Sequence, residues 1–303
     1  MKQIPGKEFV HPQYEQIFNR IMKAMKKMIS ALSPALLILV IALAGCNSAP
    51  ENKNANQQAA DTIKKEITLS PEAQNLLYQF PTPFEVTMML EKAKAGFIFD
   101  ITNPPANIGK YVTENSKALN LGVYSADLSY SATYNRIDES NKFLACTSRL
   151  ADELGIAGVY DKNLPEKVKK FNNNKDSLVN MISKVFSSTN AFLSSNNRNE
   201  VAVLIACGTY AEGLYLAASL NEVAKDNTLI SAVIFKQKDN LDKLLTILEA
   251  YQSDDNMKKI GLEFAKLRPV FTDYGLDGGK KIPMQKAADI ADLAESVRNM
   301  IVK

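Results

Sequence analysis

From residue 70 onward, apolar side chains return at steps of three and four along most of the chain. The stripes are Phe143, Cys146, Leu150, Leu154; Leu178, Ile182, Val185, Phe192; Leu241, Leu244, Leu245, Leu248; Met257, Ile260, Phe264, Leu267, Phe271; and Ile290, Leu293, Val297, Ile301. A 3.6-residue turn brings such positions onto one side of a helix, so each stripe predicts one buried helix face. Polar and glycine-rich breaks separate them: Gly155, Asn172 to Asn174, Ser194 to Asn199, Ser253 to Asn256 and Gly275 to Gly279. Ser70-Pro71 opens a short helix. Thr82-Pro83-Phe84-Glu85 has the form of a capping box with proline at the first helical position, predicting a helix over 83–95 that stops at Gly96. Alternating strand patterns are nearly missing. The one short candidate, residues 96–101, has no second strand to pair with. The expected fold is all-α, an irregular bundle of eight to ten helices over residues 63–303, with no fixed-period repeat of a helical array.

The first 62 residues follow a different pattern. Lys26 and Lys27 precede a sixteen-residue apolar run from Ile29 to Ala44, broken only by Ser30, Ser33 and Pro34. A permanent span needs about 20 apolar residues, so this run suits a cleaved signal sequence. It ends in Leu43-Ala44-Gly45-Cys46, which resembles the bacterial lipobox at all four positions. That resemblance implies a diacylglyceryl group on the Cys46 sulfur and cleavage just before it. Two or three acyl chains, at about 0.8 kcal/mol per buried methylene, hold a protein stably on a membrane. Residues 1–24 carry Pro5, His11 and Pro12 ahead of the basic pair and fit the signal poorly, so translation is expected to begin at Met25. Residues 46–62, polar after the cysteine, read as a tether whose extended reach is on the order of 50 Å.

Removing residues 1–45 changes the charge. Six basic and two acidic residues leave with the signal, so thirty basic residues face thirty-one acidic ones and the net charge falls from +3 to −1. No basic stripe remains, and no nucleic-acid partner is expected. The only histidine, His11, leaves as well, which removes His-dependent triads and most zinc sites; no metal or cofactor is expected. Cys146 and Cys207 lie far apart, each among apolar residues, and read as buried thiols, with a disulfide as the alternative. Asp273-Tyr274-Gly275-Leu276-Asp277-Gly278 has two acidic positions of a calcium loop. Gly275 and Met284 stand where two further oxygen ligands are needed, so a solvated turn is the better reading.

Two carboxylates stand out against apolar surroundings. Asp127 is the only charged residue between Lys117 and Arg136, and Tyr124, Asp127, Ser131 and Tyr134 share a helix face, with Tyr130 adjacent. Glu212 is the only charge between Glu200 and Glu222, in a stretch so apolar that it invites a membrane-spanning reading. A carboxylate near its centre would cost a few kcal/mol in lipid, so a core helix is expected, its small residues Ala202, Ala206, Gly208, Gly213 and Ala217 letting neighbours approach closely. A buried carboxylate either finds partners or holds a proton. One reading makes Tyr124, Asp127, Tyr130, Tyr134 and Glu212 a tyrosine-lined site for a small polar ligand. The other gives the carboxylates to helix packing, bonded to tyrosine hydroxyls, Arg136 or helix-end amides.

Phe80-Pro81-Thr82-Pro83-Phe84-Glu85-Val86, Asn103-Pro104 and the run from Lys117 through Asp127 to Tyr130 resemble an uncharacterised family of all-helical lipoproteins from Bacteroidetes-type Gram-negative bacteria. The likeness covers most of the mature chain and implies the fold and the anchor but no activity. Surface-exported lipoproteins of such bacteria resemble one another in an acidic cluster after the lipidated cysteine. Here only Glu51 is present, which favours the outer membrane's periplasmic face. The preferred expectation is a noncatalytic envelope lipoprotein whose helical domain meets an envelope protein. The alternative is a periplasmic ligand-binding protein or His-independent enzyme using Asp127 and Glu212.

Overall fold

The computed structural model describes residues 69–159, 163–170, 174–272 and 281–303. The segments expected as signal and tether, Cys46 and the glycine-rich stretch from Asp273 lie outside the described residues. Among those described, eleven helices and no strands are found, close to the eight to ten expected.

The helices are α1 Pro71–Tyr78, α2 Pro83–Lys92, α3 Glu114–Thr133, α4 Ile137–Glu153, α5 Leu164–Lys170, α6 Lys175–Ser195, α7 Asn199–Val223, α8 Thr228–Glu249, α9 Asp255–Ala265, α10 Arg268–Thr272 and α11 Met284–Val302. The punctuation mostly acts as the residue types predict. The Ser70 hydroxyl accepts from the Ala73 amide at 3.1 Å, and Asn174 and Asp254 cap α6 and α9 in the same way. Gly155 ends α4 with φ +71°. Two details differ. The Thr82 side chain makes no cap bond, so the expected capping box is absent and Pro83 alone sets the first turn. The same helix stops at Lys92, not 95, because Lys94 turns the chain at φ +57°; Gly96 is not its terminator. The strand candidate instead starts a loop with 3₁₀ turns at Phe99–Ile101 and Pro105–Lys110.

At the centre is α7, from Val201 to Leu220 buried nearly all round. It is long and apolar enough to cross a membrane, yet 94 % of its most apolar stretch is covered by the domain, as a core helix requires. Against it cross α3, α11 and α8; α4 covers the far side of α3, α2 and α6 fill the flanks, and α9 lies on α8. Helix α3 is likewise buried all round from Ala118 to Thr133 despite four Ser/Thr residues there. Its hydroxyls are satisfied locally or across helices: Ser125 to the Leu121 carbonyl (2.6 Å), Ser129 to the Ser125 carbonyl (2.8 Å), Ser131 with Ser140, and Thr133 with Thr87.

Glycine makes the α3–α7 crossing close. A Cβ on Gly208 would lie 1.8 Å from the Leu119 carbonyl oxygen, and one on Gly122 would lie 2.1 Å from that of Ile205. The Thr209 hydroxyl bridges the seam to the Gly122 carbonyl at 3.3 Å. Cys146 and Cys207 are both free and buried, and burial pushes the Cys146 thiol up to about 11.

Candidate functional site

Where α3, α7 and α11 meet, Asp127 and Glu212 come together, both fully buried, and Arg298 of α11, itself buried, joins Glu212 there. Arg298 grips Glu212 with two bonds, Nε to Oε2 at 2.6 Å and Nη2 to Oε1 at 3.1 Å, the fork geometry that a guanidinium offers a carboxylate. Its guanidinium also stacks 4.4 Å from the centre of the Tyr215 ring. Asp127 is placed differently. Its Oδ2 accepts the Asn103 amide at 3.1 Å, while no donor reaches Oδ1.

A shell of polar groups ties the 3₁₀ loop and the chain's last turn to this cluster. The Asn103 side chain donates to the Tyr111 hydroxyl (3.0 Å), which donates in turn to the Val302 carbonyl (3.4 Å). Tyr124 donates to the Pro104 carbonyl (2.9 Å), and Asn120 to that of Ile301 (3.0 Å). The last two bonded carbonyls of α11, otherwise orphaned at a helix end, thus receive side-chain donors.

The electrostatics follow from burial. Asp127 is held well above the ordinary carboxylate range, first by desolvation and next by the neighbouring Glu212 charge, with Arg298 and the Asn103 amide opposing. Burial also raises Glu212, with the Arg298 charge and its hydrogen bonds opposing that shift directly. Tyr124 is raised by burial, and Tyr130 is pushed up to about 12 by burial, so both are neutral donors at physiological pH.

The five residues singled out in the sequence therefore divide into two sets. Tyr124, Asp127 and Glu212 share this cluster. Tyr130 and Tyr134 face the loop after α2: the Tyr130 hydroxyl accepts from the Ile98 amide (2.9 Å) and donates to the Gly96 carbonyl (3.2 Å), and Tyr134 donates to the Ala95 carbonyl (2.8 Å). Phe97 packs against both rings, which also meet each other edge-on at 5.1 Å, and Arg136 lies over Phe97. Arg136, expected as a carboxylate partner, bonds Glu139 at 2.9 Å instead. The true partner, Arg298, is readable as the one charge on the buried stripe of the last helix, four residues after Ala294 and three before Ile301. Asn103, Tyr111 and Asn120 carry no comparable signal.

The side chains of Tyr124, Asp127, Tyr130 and Glu212 are all fully buried. A cleft of about 380 Å³, including its mouth, opens elsewhere, among Pro83, Phe84, Leu128, Leu144, Ile182 and Phe186, and none of the five lines it. Its two lining serines, Ser125 and Ser129, have turned their hydroxyls onto their own helix. No cluster of metal-ligating side chains occurs among the described residues. Comparison of the chain with protein-family models, with curated proteins and with solved structures finds no match.

Proposed function

We propose that this protein is a lipid-anchored envelope lipoprotein whose helical domain acts by contact with an envelope partner and performs no chemistry of its own. The observation that carries the reading is in the sequence: a basic pair, a sixteen-residue apolar run and Leu43-Ala44-Gly45-Cys46 in immediate succession. The anchor site is Cys46, with the outer membrane's periplasmic face as the location. The cluster at Asp127 supports a noncatalytic role, because Arg298 takes both oxygens of Glu212, the Asn103 amide takes one oxygen of Asp127, and both carboxylates are fully buried. A small polar ligand would have to reach side chains that no solvent touches. A protein partner is supported by apolar side chains left in water, among them Leu229 (58 % exposed) and Met284 (75 %). These follow by two residues the Asn227 and Ile282 positions that join α8's start to the approach of α11 through paired 3.0 Å bonds.

Metabolic labelling with an alkyne-tagged fatty acid tests the anchor. The wild-type protein is expected to take up label and fractionate with membranes, and Cys46→Ser to do neither while its domain still folds. Wild-type protein found unlabelled and soluble, or label persisting in Cys46→Ser, would remove the anchor from the account.

A further inference from the structure

Where α7 turns into α8, the chain is joined to the segment that leads into α11. The Asn227 side chain donates to the Ile282 carbonyl (3.0 Å) and accepts the Ile282 amide (3.0 Å), and the Lys281 ammonium donates to the Lys225 carbonyl (2.8 Å). Asn227 and Ile282 are both buried, so their paired bonds are shielded from water and hold the two segments side by side. Beside this joint three apolar side chains stand in water: Leu229, Pro283 and Met284. One exposed leucine asks for no explanation, but a group of apolar side chains held together on a fixed joint marks a contact surface.

Lysines surround the group. Lys225 and Lys281 are exposed and Lys286 is half-buried. Within residues 224–229 and 281–286 the single carboxylate is Asp226, whose Oδ1 already accepts the Thr228 amide (3.1 Å) and hydroxyl (2.7 Å). Three lysines against one carboxylate give this face a net charge of +2, although residues 46–303 together sum to −1. Apolar side chains rimmed by lysines suit the boundary of an anionic bilayer: the apolar groups enter the acyl region, and the long lysine stems leave the ammonium groups among the phosphates. A protein partner fits less well, because an ordinary protein interface takes about 20–30 residues a side and this face offers two short segments.

We infer that this face seats the domain on an anionic phospholipid bilayer, with Leu229, Pro283 and Met284 dipping below the headgroups and the three lysines on the phosphates. Resting on the anchor proposed above, this assignment makes the lipid surface itself the envelope partner at this end of the domain. Six residues form a weak contact by themselves. An acyl anchor makes such a contact effective, because it turns seating into an intramolecular step at high local concentration.

The chain is long enough to allow it. From Cys46 to Leu69 it can extend on the order of 75 Å, about twice the ~37 Å length of the 25-residue α7, so the face can reach the bilayer wherever the chain enters the domain. Seating also fixes an orientation. Helix α7 stands with its end at Val223 toward the lipid and its start at Asn199 away from it.

The test uses the full chain, processed by its host and reconstituted with its lipid into vesicles of equal parts phosphatidylcholine and phosphatidylglycerol, or of phosphatidylcholine alone, each with a quencher on the acyl chains. A fluorophore is placed at Met284→Cys or, for comparison, at the exposed Val112→Cys, just past the 3₁₀ turn that packs on α4; Cys146 and Cys207 are buried. Flotation with the vesicles reads the anchor, and quenching reads the face. The expected result is quenching at Met284→Cys in the anionic vesicles, less in the neutral ones, and little at Val112→Cys in either. Adding Lys225→Gln and Lys286→Gln should lower the ratio of seated to free domain by about fivefold per lysine lost. The inference is overturned if Met284→Cys stays unquenched on protein that floats, if Val112→Cys is quenched equally, or if neutral lipid and the lysine substitutions change nothing. Emission from Met284→Cys that shifts to the blue without quenching would put a protein on this face instead, and overturns it too. Protein that fails to float removes the anchor, and the seating with it.

Discussion

Gly208→Ala is expected to destroy the native packing of this domain. The added methyl would stand 1.8 Å from the Leu119 carbonyl oxygen and 2.8 Å from its carbon, both backbone atoms of the facing helix, so no side chain can move aside. Relief requires α3 and α7 to separate, breaking the Thr209 to Gly122 bond and opening the seam on which most other helices rest. Gly122→Ala meets the mirror-image obstacle in the Ile205 carbonyl oxygen and the Thr209 amide nitrogen. Overpacking against backbone belongs to the most costly class of substitution, above about 4 kcal/mol, a large part of the ~5–15 kcal/mol that holds an ordinary domain together. Gly213→Ala on the same helix is the control. Its methyl would meet the Val86 side chain first, at 3.6 Å, an ordinary contact, so the gain of up to ~1 kcal/mol in helix propensity should show. Circular dichroism and urea titration of the three variants check the ranking: Gly208→Ala and Gly122→Ala without a cooperative transition, Gly213→Ala at or above the wild type.

The second large effect belongs to Arg298. Replacing it with methionine keeps the length of the stem but leaves Glu212, fully buried, without its two donors, and Tyr215 without its stacked cation. Removing one partner of a buried pair costs about 3–5 kcal/mol because the other charge stays behind. The expected result is an unfolding free energy lowered by that amount, read as a urea midpoint lowered by the same energy divided by an unchanged slope, since the same surface is exposed on unfolding. Arg298→Lys should recover only part of it, because an ammonium cannot make the paired bonds to Oε1 and Oε2. A shift of under about 1 kcal/mol in Arg298→Met would mean that the pair is solvated and that burial does not govern it.

These two sites mark how far the sequence could be read. The stripes at Phe143–Leu154, Leu241–Leu248 and Ile290–Ile301 became α4, α8 and α11 because a one-sided helix announces its buried face through spacing alone. The all-round burial of α7 was visible for the same reason, with a single charge at Glu212 in twenty residues. Helix ends were less legible. Thr82 and Glu85 have the right types for a capping box yet do not form one, and the chain turns at Lys94 although Gly96 is two residues away.

The carboxylates were recognisable as buried; their company was not. Glu212 and Arg298 are 86 residues apart, and only the return of the last helix across α7 brings them into contact. The face shared by Tyr124, Asp127, Ser131 and Tyr134 predicts a common environment, but α3 is enclosed on every side. Its residues therefore divide between the Arg298 cluster and the loop at Ala95 to Ile98. Spacing tells which side chains share a face. It does not tell which element will cover that face.

The central claim is that the buried carboxylates serve packing through Arg298 and not a ligand. The most direct test is a double-mutant cycle of Glu212→Leu and Arg298→Met, measured by urea unfolding in an Asp127→Asn background. That background removes the other carboxylate that could take Glu212's place. The account predicts that the double variant is more stable than either single one, with a coupling of about 2 kcal/mol or more. Single-variant costs that add to within about 0.5 kcal/mol would contradict it.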